Sequence, residues 1–142
     1  MHINKEKKAD TRTEKIIMAL KEKDKDSLKS LFSKKALNEA KNFESNEDYL
    51  FEFLIGNINT WKRDSASVDE SIEYGKKSTM LRYGISVSTD NDDYDVFVID
   101  YVKDTINPDN EGIYMLEFSR KSYSGEWKVW QERMCAGISF LE

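Results

Sequence analysis

Near Trp61 the spacing of apolar residues changes from helical to alternating, and it does not change back. Upstream, Ile16, Ile17 and Leu20 recur at near-helical intervals, and Leu28, Leu31, Phe32 and Leu37 repeat the pattern. Downstream, Leu81, Tyr83, Ile85 and Val87 alternate with Arg82, Gly84, Ser86 and Ser88, as expected of a half-buried antiparallel strand. A helix buries a stripe and a strand buries a face, so a chain that makes its helices first and its strands afterwards folds as α+β with segregated elements. At 142 residues there is room for one such domain.

The helical half, from Asp10 to about Ala40, divides at the charged stretch Lys21 to Asp26, where Asp24 or Asp26 can cap a second helix; Ser33 can cap a third piece. Ser45-Asn46-Glu47-Asp48 opens a helix predicted over Glu47 to Asn57. Leu50, Phe53, Leu54 and Ile58 form one stripe of it and Tyr49, Phe51 and Ile55 the other side, the pattern of a helix buried between layers. In the second half Val68, Ile72 and Tyr74 alternate with polar residues, and Gly75 to Ser78 reads as the following turn. Tyr94 to Lys103 carries Val96, Val98 and Val102 on one face and Phe97, Ile99 and Tyr101 on the other, so both faces should be covered. Asn107 to Gly112 is rich in turn residues, Ile113 to Arg120 follows, and Ser124-Gly125 leads to a last long strand, Glu126 to Phe140. The strands number about five or six, joined by hairpins. The domain is expected to span residues 10–140, with a loose segment at 1–9 and a vector-derived Leu-Glu pair at 141–142.

Charge and rare residues exclude several functions. The 27 acidic against 22 basic groups leave a net charge of −5, the wrong sign for binding a nucleic-acid backbone. No apolar run approaches the roughly 18 residues of a membrane span. Cys135 is the only cysteine, so no internal disulfide forms, and between Met134 and Ala136 it reads as a small buried hydrophobe. His2 is the only histidine and sits on an end read as frayed, which removes Ser/His and Cys/His nucleophilic machinery and most zinc sites. The run Asp90 to Asp95 suggests calcium, but Asp95 stands where the helical-hand loop needs glycine and Tyr101 where it needs glutamate. No metal and no cofactor are implied.

Two stretches resemble the cone-shaped α+β superfamily of nuclear transport factor, ketosteroid isomerase and scytalone dehydratase. One is Ile16-Ile17-Met18-Ala19-Leu20 followed by Lys25 to Ser33; the other is Gly125-Glu126-Trp127-Lys128-Val129, which looks like the lead-in to that superfamily's last strand. Asn107 to Leu116 with Gly137-Ile138 look like a group of small bacterial lipoproteins of unassigned function. The resemblance implies N-terminal helices packed in the concavity of a strongly curved, mainly antiparallel sheet, with a pocket at the open end of the cone. It also implies homodimers paired through the sheet and an exported, lipid-anchored, extracytoplasmic protein whose leader has been removed; a cytoplasmic location is the alternative. The isomerase's acid, base and tyrosine set finds no residue-by-residue match, and the missing histidine departs from the dehydratase.

Six residues are candidates for a ligand site. Asp100 shares a strand face with Val96, Val98 and Val102, where a carboxyl group serves either as a general base or as half of a structural ion pair at a bulge. Gln131 and Arg133 share parity with Trp127 and Val129, and Arg133 would offer a planar fork to a carboxylate. Trp61, Tyr83 and Tyr114, with Tyr74 and Trp130, can line an apolar pocket or simply pack the core. The favoured reading is a non-enzymatic domain that holds a small molecule or peptide in the cone. Its alternatives are an acid/base enzyme of isomerase or dehydratase type using Asp100 with Tyr83 or Tyr114, and an acidic interaction or immunity-type partner that masks a basic protein.

Overall fold

The computed structural model describes residues 4–142, so His2 lies outside the described residues. The helices come first: α1 (Lys5–Glu22), α2 (Lys25–Ser30), α3 (Lys34–Glu39) and α4 (Phe43–Phe53). They are followed by β1 (Ile58–Glu73), β2 (Lys76–Thr89), β3 (Asp93–Asp104), a 3-10 turn (Pro108–Asn110) and β4 (Gly112–Arg120). A short helix α5 (Trp130–Arg133) and β5 (Gly137–Leu141) complete the chain. The strands form one curved, unclosed sheet in the order β1-β2-β3-β4-β5, antiparallel except for β4 and β5.

Side-chain caps set the helix starts. Asn4 accepts from the Lys7 amide at 3.0 Å, Asp24 from the Ser27 amide at 3.0 Å, and Ser33 from the Ala36 amide at 2.9 Å. The first cap moves the start of α1 to Lys5 instead of Asp10, and Ala9, expected on a loose segment, is fully buried. Helix α4 also starts early, at Phe43, and stops at Phe53 rather than Asn57. The stop has a tertiary cause: the Tyr94 hydroxyl donates to the Phe53 carbonyl (3.0 Å) and accepts from the Ile55 amide (2.8 Å), occupying the groups another turn would have paired. Ile55 is therefore exposed, and with Glu44, Ser45, Asp48 and Glu52 on the surface α4 is buried on one side only.

The sheet behaves as its alternation requires along β2, where Leu81, Tyr83, Ile85 and Val87 are buried and the residues between them are half-buried. These side chains and Val96 and Val98 of β3 meet Ile16, Ile17 and Leu20 of α1, Leu28 of α2 and Leu50 and Phe53 of α4, so the helices occupy the concave side. Register shifts at Arg63/Ser65, Thr79/Met80 and Ile99/Asp100 add the local twist that curves the strands around them. The β1–β2 turn is the two residues Tyr74-Gly75, with φ of 51° and 78°, one step earlier than Gly75 to Ser78; two positive φ values match the right-handed twist of a hairpin.

The end of the chain differs most from expectation. There is no long strand over Glu126 to Phe140: residues 121–129 are irregular, α5 follows, and only Gly137–Leu141 is strand. Because β5 runs parallel to β4, a hairpin cannot join them and the chain must cross over first. Trp127 and Val129 are consequently exposed rather than strand-packed, and so is Cys135, which turns outward between α5 and β5. Leu141 pairs with Ser119, and the Tyr49 hydroxyl donates to the Glu142 carboxylate at 2.7 Å, so the terminal pair takes part in the fold.

Candidate functional site

Alternation along β3 turns Asp100 inward with Tyr94, Val96 and Val98, and its cross-strand neighbours are Leu81 and Ile113. A carboxylate at 0% exposure in such company needs partners for its oxygens. Arg12 of α1 supplies a fork, Nε to Oδ2 at 3.0 Å and Nη2 to Oδ1 at 3.3 Å. The Tyr83 hydroxyl, also fully buried, donates to Oδ2 at 2.9 Å. Burial, then the charge of Asp100 and this hydrogen bond, push the Tyr83 phenol well above its ordinary pKa, so it stays protonated and remains a donor.

The Arg12 side chain is 23% exposed, and its outer side borders a groove of about 400 Å³ between the first half of α1 and the end of β3. Lys7, Lys8, Arg12 and Lys15 line it from α1; Asp100 and the half-buried Val102 line it from β3. Among the described residues Lys7, Lys8 and Lys15 enter no ion pair, whereas many of the chain's other lysines and arginines do.

Of the six candidates from the sequence, only Tyr83 and Asp100 meet. Trp61 is half-buried on β1 opposite Val87, packed against the core. Tyr114 is the extra residue of the β4 bulge; its ring stands edge-on to Tyr101 and its hydroxyl donates to Glu39 at 2.6 Å. Burial and that bond raise its pKa to about 12. Gln131 and Arg133 stand on α5, not on a strand, and Gln131 is exposed. The Arg133 fork does take a carboxylate, but one of its own chain: Nε lies 3.0 Å from Oε1 and 3.3 Å from Oε2 of the buried Glu117, and Nη2 also donates to Oε1. Its guanidinium also lies 5.1 Å from the Phe97 ring centre and 5.4 Å from that of Trp127. These residues border a separate hollow of about 200 Å³ on the sheet face opposite the helices.

The acidic run that leads into β3 is tied to cations of the chain, Asp95 to Lys121 at 2.6 Å and Asp92 to Arg120 at 3.6 Å. Among the described residues no group of three or more His, Cys, Asp or Glu side chains is placed to hold a metal ion.

Arg12 and the lysines of the groove were missed from sequence, although Lys8, Arg12 and Lys15 at i, i+4 and i+7 make one helical face. A helix start set at Asp10 cut that face in two.

A family model described as "Domain of unknown function (DUF5104)" matches residues 15–133. Tyr83, Asp100 and Lys15 fall inside the match; Lys7, Lys8 and Arg12 precede it. No curated protein matches the chain.

Proposed function

The chain belongs to the DUF5104 family, a domain family of unknown function, and from that premise we propose that it is a non-enzymatic binding domain whose ligand seat is the groove between α1 and β3. One observation carries the reading: the polar groups at the groove's wall are already organised, with Asp100 held on both oxygens by Arg12 and Tyr83, while the lysines around it enter no ion pair among the described residues. Pre-formed concave sites with a few fixed polar groups are where small ligands bind. The same arrangement counts against the acid/base alternative. A general base needs a carboxylate oxygen free to take a proton, and both oxygens of Asp100 already accept hydrogen bonds, from the Arg12 guanidinium and the Tyr83 hydroxyl.

Kinship with the cone superfamily belongs to the same proposal: helices in the concavity of a curved sheet support it, and the parallel last strand is a departure from the hairpin-built form. Export as a lipid-anchored protein rests on the resemblance over Asn107 to Leu116 alone, and pairing of two copies through the sheet rests on the superfamily likeness. An immunity-type role draws only on the net charge of −5.

The test is a small-molecule fragment screen read by amide chemical shifts of the labelled protein. Binding should move Lys8, Arg12, Lys15 and Val102 together. A screen whose hits all fall elsewhere, or a turnover assay in which Asp100→Asn abolishes isomerisation or dehydration, overturns the reading.

A further inference from the structure

We infer that the molecule seated in the α1–β3 groove is anionic, a small phosphate ester or polycarboxylate whose oxyanion docks on Arg12 between Lys8 and Lys15. The inference rests on the reading of that groove as the ligand seat and adds the chemistry of the ligand.

Charge distribution is the first support. The chain as a whole carries −5, yet this groove is lined by Lys7, Lys8, Arg12 and Lys15 against the single carboxylate of Asp100. That carboxylate is fully buried and its charge is matched by Arg12, so the three lysines set the sign of the field in the groove. Six lysines elsewhere in the chain reach carboxylates, as Lys25 does with Asp48, Lys29 with Glu44 and Lys121 with Asp95, and the other described lysines do not; what sets Lys7, Lys8 and Lys15 apart is that all three line one concavity. Three lysines that line one concavity, with no ion-pair partner among the described residues, repel one another, and a bound anion removes that repulsion.

The second support is the way Arg12 is held. A guanidinium has five N–H donors in a rigid plane; two of them bond Asp100, and the others have no partner among the described residues. Asp100 is itself fixed by the Tyr83 hydroxyl from the core side. The plane of Arg12 is thereby oriented before any ligand arrives, which lowers the ordering cost of binding, and its fork matches the spacing of phosphate and carboxylate oxygens. Tyr83 and Asp100 are positioning residues on this account, and Arg12, Lys8 and Lys15 are the contacts. A volume of about 400 Å³ is that of a site for a small metabolite.

The experiment titrates the labelled full chain with inorganic phosphate, with citrate and with a set of neutral fragments, all at one ionic strength. Phosphate or citrate should shift Lys8, Arg12 and Lys15, the stronger of the two identifying the oxyanion. Added sodium chloride should weaken that binding, and Lys8→Glu/Lys15→Glu should weaken it by about tenfold or more at unchanged melting temperature. Both lysines are exposed, so this variant is expected to fold. Arg12→Lys, which keeps the charge and loses the fork, should weaken binding while leaving its salt dependence in place. Neutral fragments in the groove with no anion binding would overturn the ligand class and leave the binding domain standing. Neither kind of ligand in the groove would overturn both, and anion shifts that persist in the double-glutamate variant would overturn the assignment to these residues.

Discussion

Arg12 on α1 and Asp100 on β3, 88 residues apart in sequence, meet as a forked ion pair with Nε 3.0 Å from Oδ2 and Nη2 3.3 Å from Oδ1. The carboxylate is wholly buried while the guanidinium reaches the surface, so the pair ties the first helix to the middle of the sheet and ends at the groove. The two halves of such a pair are not equivalent when removed. Arg12→Ala leaves a buried charge with Tyr83 as its one remaining partner and should cost about 3 kcal/mol; Asp100→Asn, which leaves the cation able to reach water, should cost about 1 to 2 kcal/mol. Urea unfolding checks the order, and equal small losses from both would show that the pair is marginal.

Tyr83→Phe keeps the ring in the core and deletes one donor to Asp100. The expected loss is about 1 kcal/mol, with the ion pair intact. A loss as large as that of Arg12→Ala would mean that the hydroxyl, not the guanidinium, is what makes Asp100 tolerable in the interior.

Glu47 of α4 is 4% exposed, its Oε2 has no hydrogen-bond partner among the described residues, and its pKa is raised to about 7 by burial and then by Asp48, with Lys25 and Lys29 opposing and Glu44 adding to the rise. Between the model-peptide carboxyl value of about 4.3 and the folded value the native state binds the extra proton, so stability is fullest at acid pH and falls as pH rises towards neutrality. The fall attributable to this group is on the order of 1 to 3 kcal/mol. Glu47→Gln should flatten that part of the profile and be the more stable protein at pH 8, measured by denaturation from pH 5 to 8. An unchanged profile would place Glu47 in water.

Arg133 holds residues 121–136 against the sheet by its fork on buried Glu117 and its contacts with Phe97 and Trp127. Arg133→Ala should cost between about 1 and 3 kcal/mol, since it strands the Glu117 charge, and should expose Lys121 and Lys128 to trypsin in the otherwise folded protein. Arg133→Lys should rescue little because an ammonium cannot form the fork or the planar stack.

Gly112 has φ of 127°, and a Cβ there would lie 2.7 Å from the Ser33 amide nitrogen, which donates to the Ile113 carbonyl at 3.0 Å. Gly112→Ala should therefore cost about 2 kcal/mol or more by straining the backbone and parting the α2–α3 connection from β4. Gly75, with φ of 78° and nothing within 4 Å of its added Cβ, is the control: Ala there should cost about 1 kcal/mol, the backbone term alone. Thermal unfolding of the two variants compares them directly.

Much of the architecture was legible because it is locally encoded. Period switches from helical to alternating spacing, the caps at Asp24 and Ser33, and the alternation Leu81, Tyr83, Ile85, Val87 each depend on a few neighbouring residues, and the structure has them where the sequence puts them. The inward direction of Asp100 followed from the same alternation, and so did its company with Val96 and Val98. The start of α1 was misread because Asn4 caps from within a polar, charged stretch that carries no apolar pattern.

What the sequence by itself determined, then, is the order and type of most elements and which residues of each seek the core. Tertiary structure alone decided which of those elements meet. Asp100 could have paired with any of the chain's cations until α1 crossed the concave face and brought Arg12 to it, and Arg133 could have faced a ligand until the parallel seating of β5 laid α5 over Glu117. Periodicity reports burial over a few residues, whereas an ion pair 88 residues apart is set by how sheet curvature and helix packing close that long loop, which no local pattern encodes.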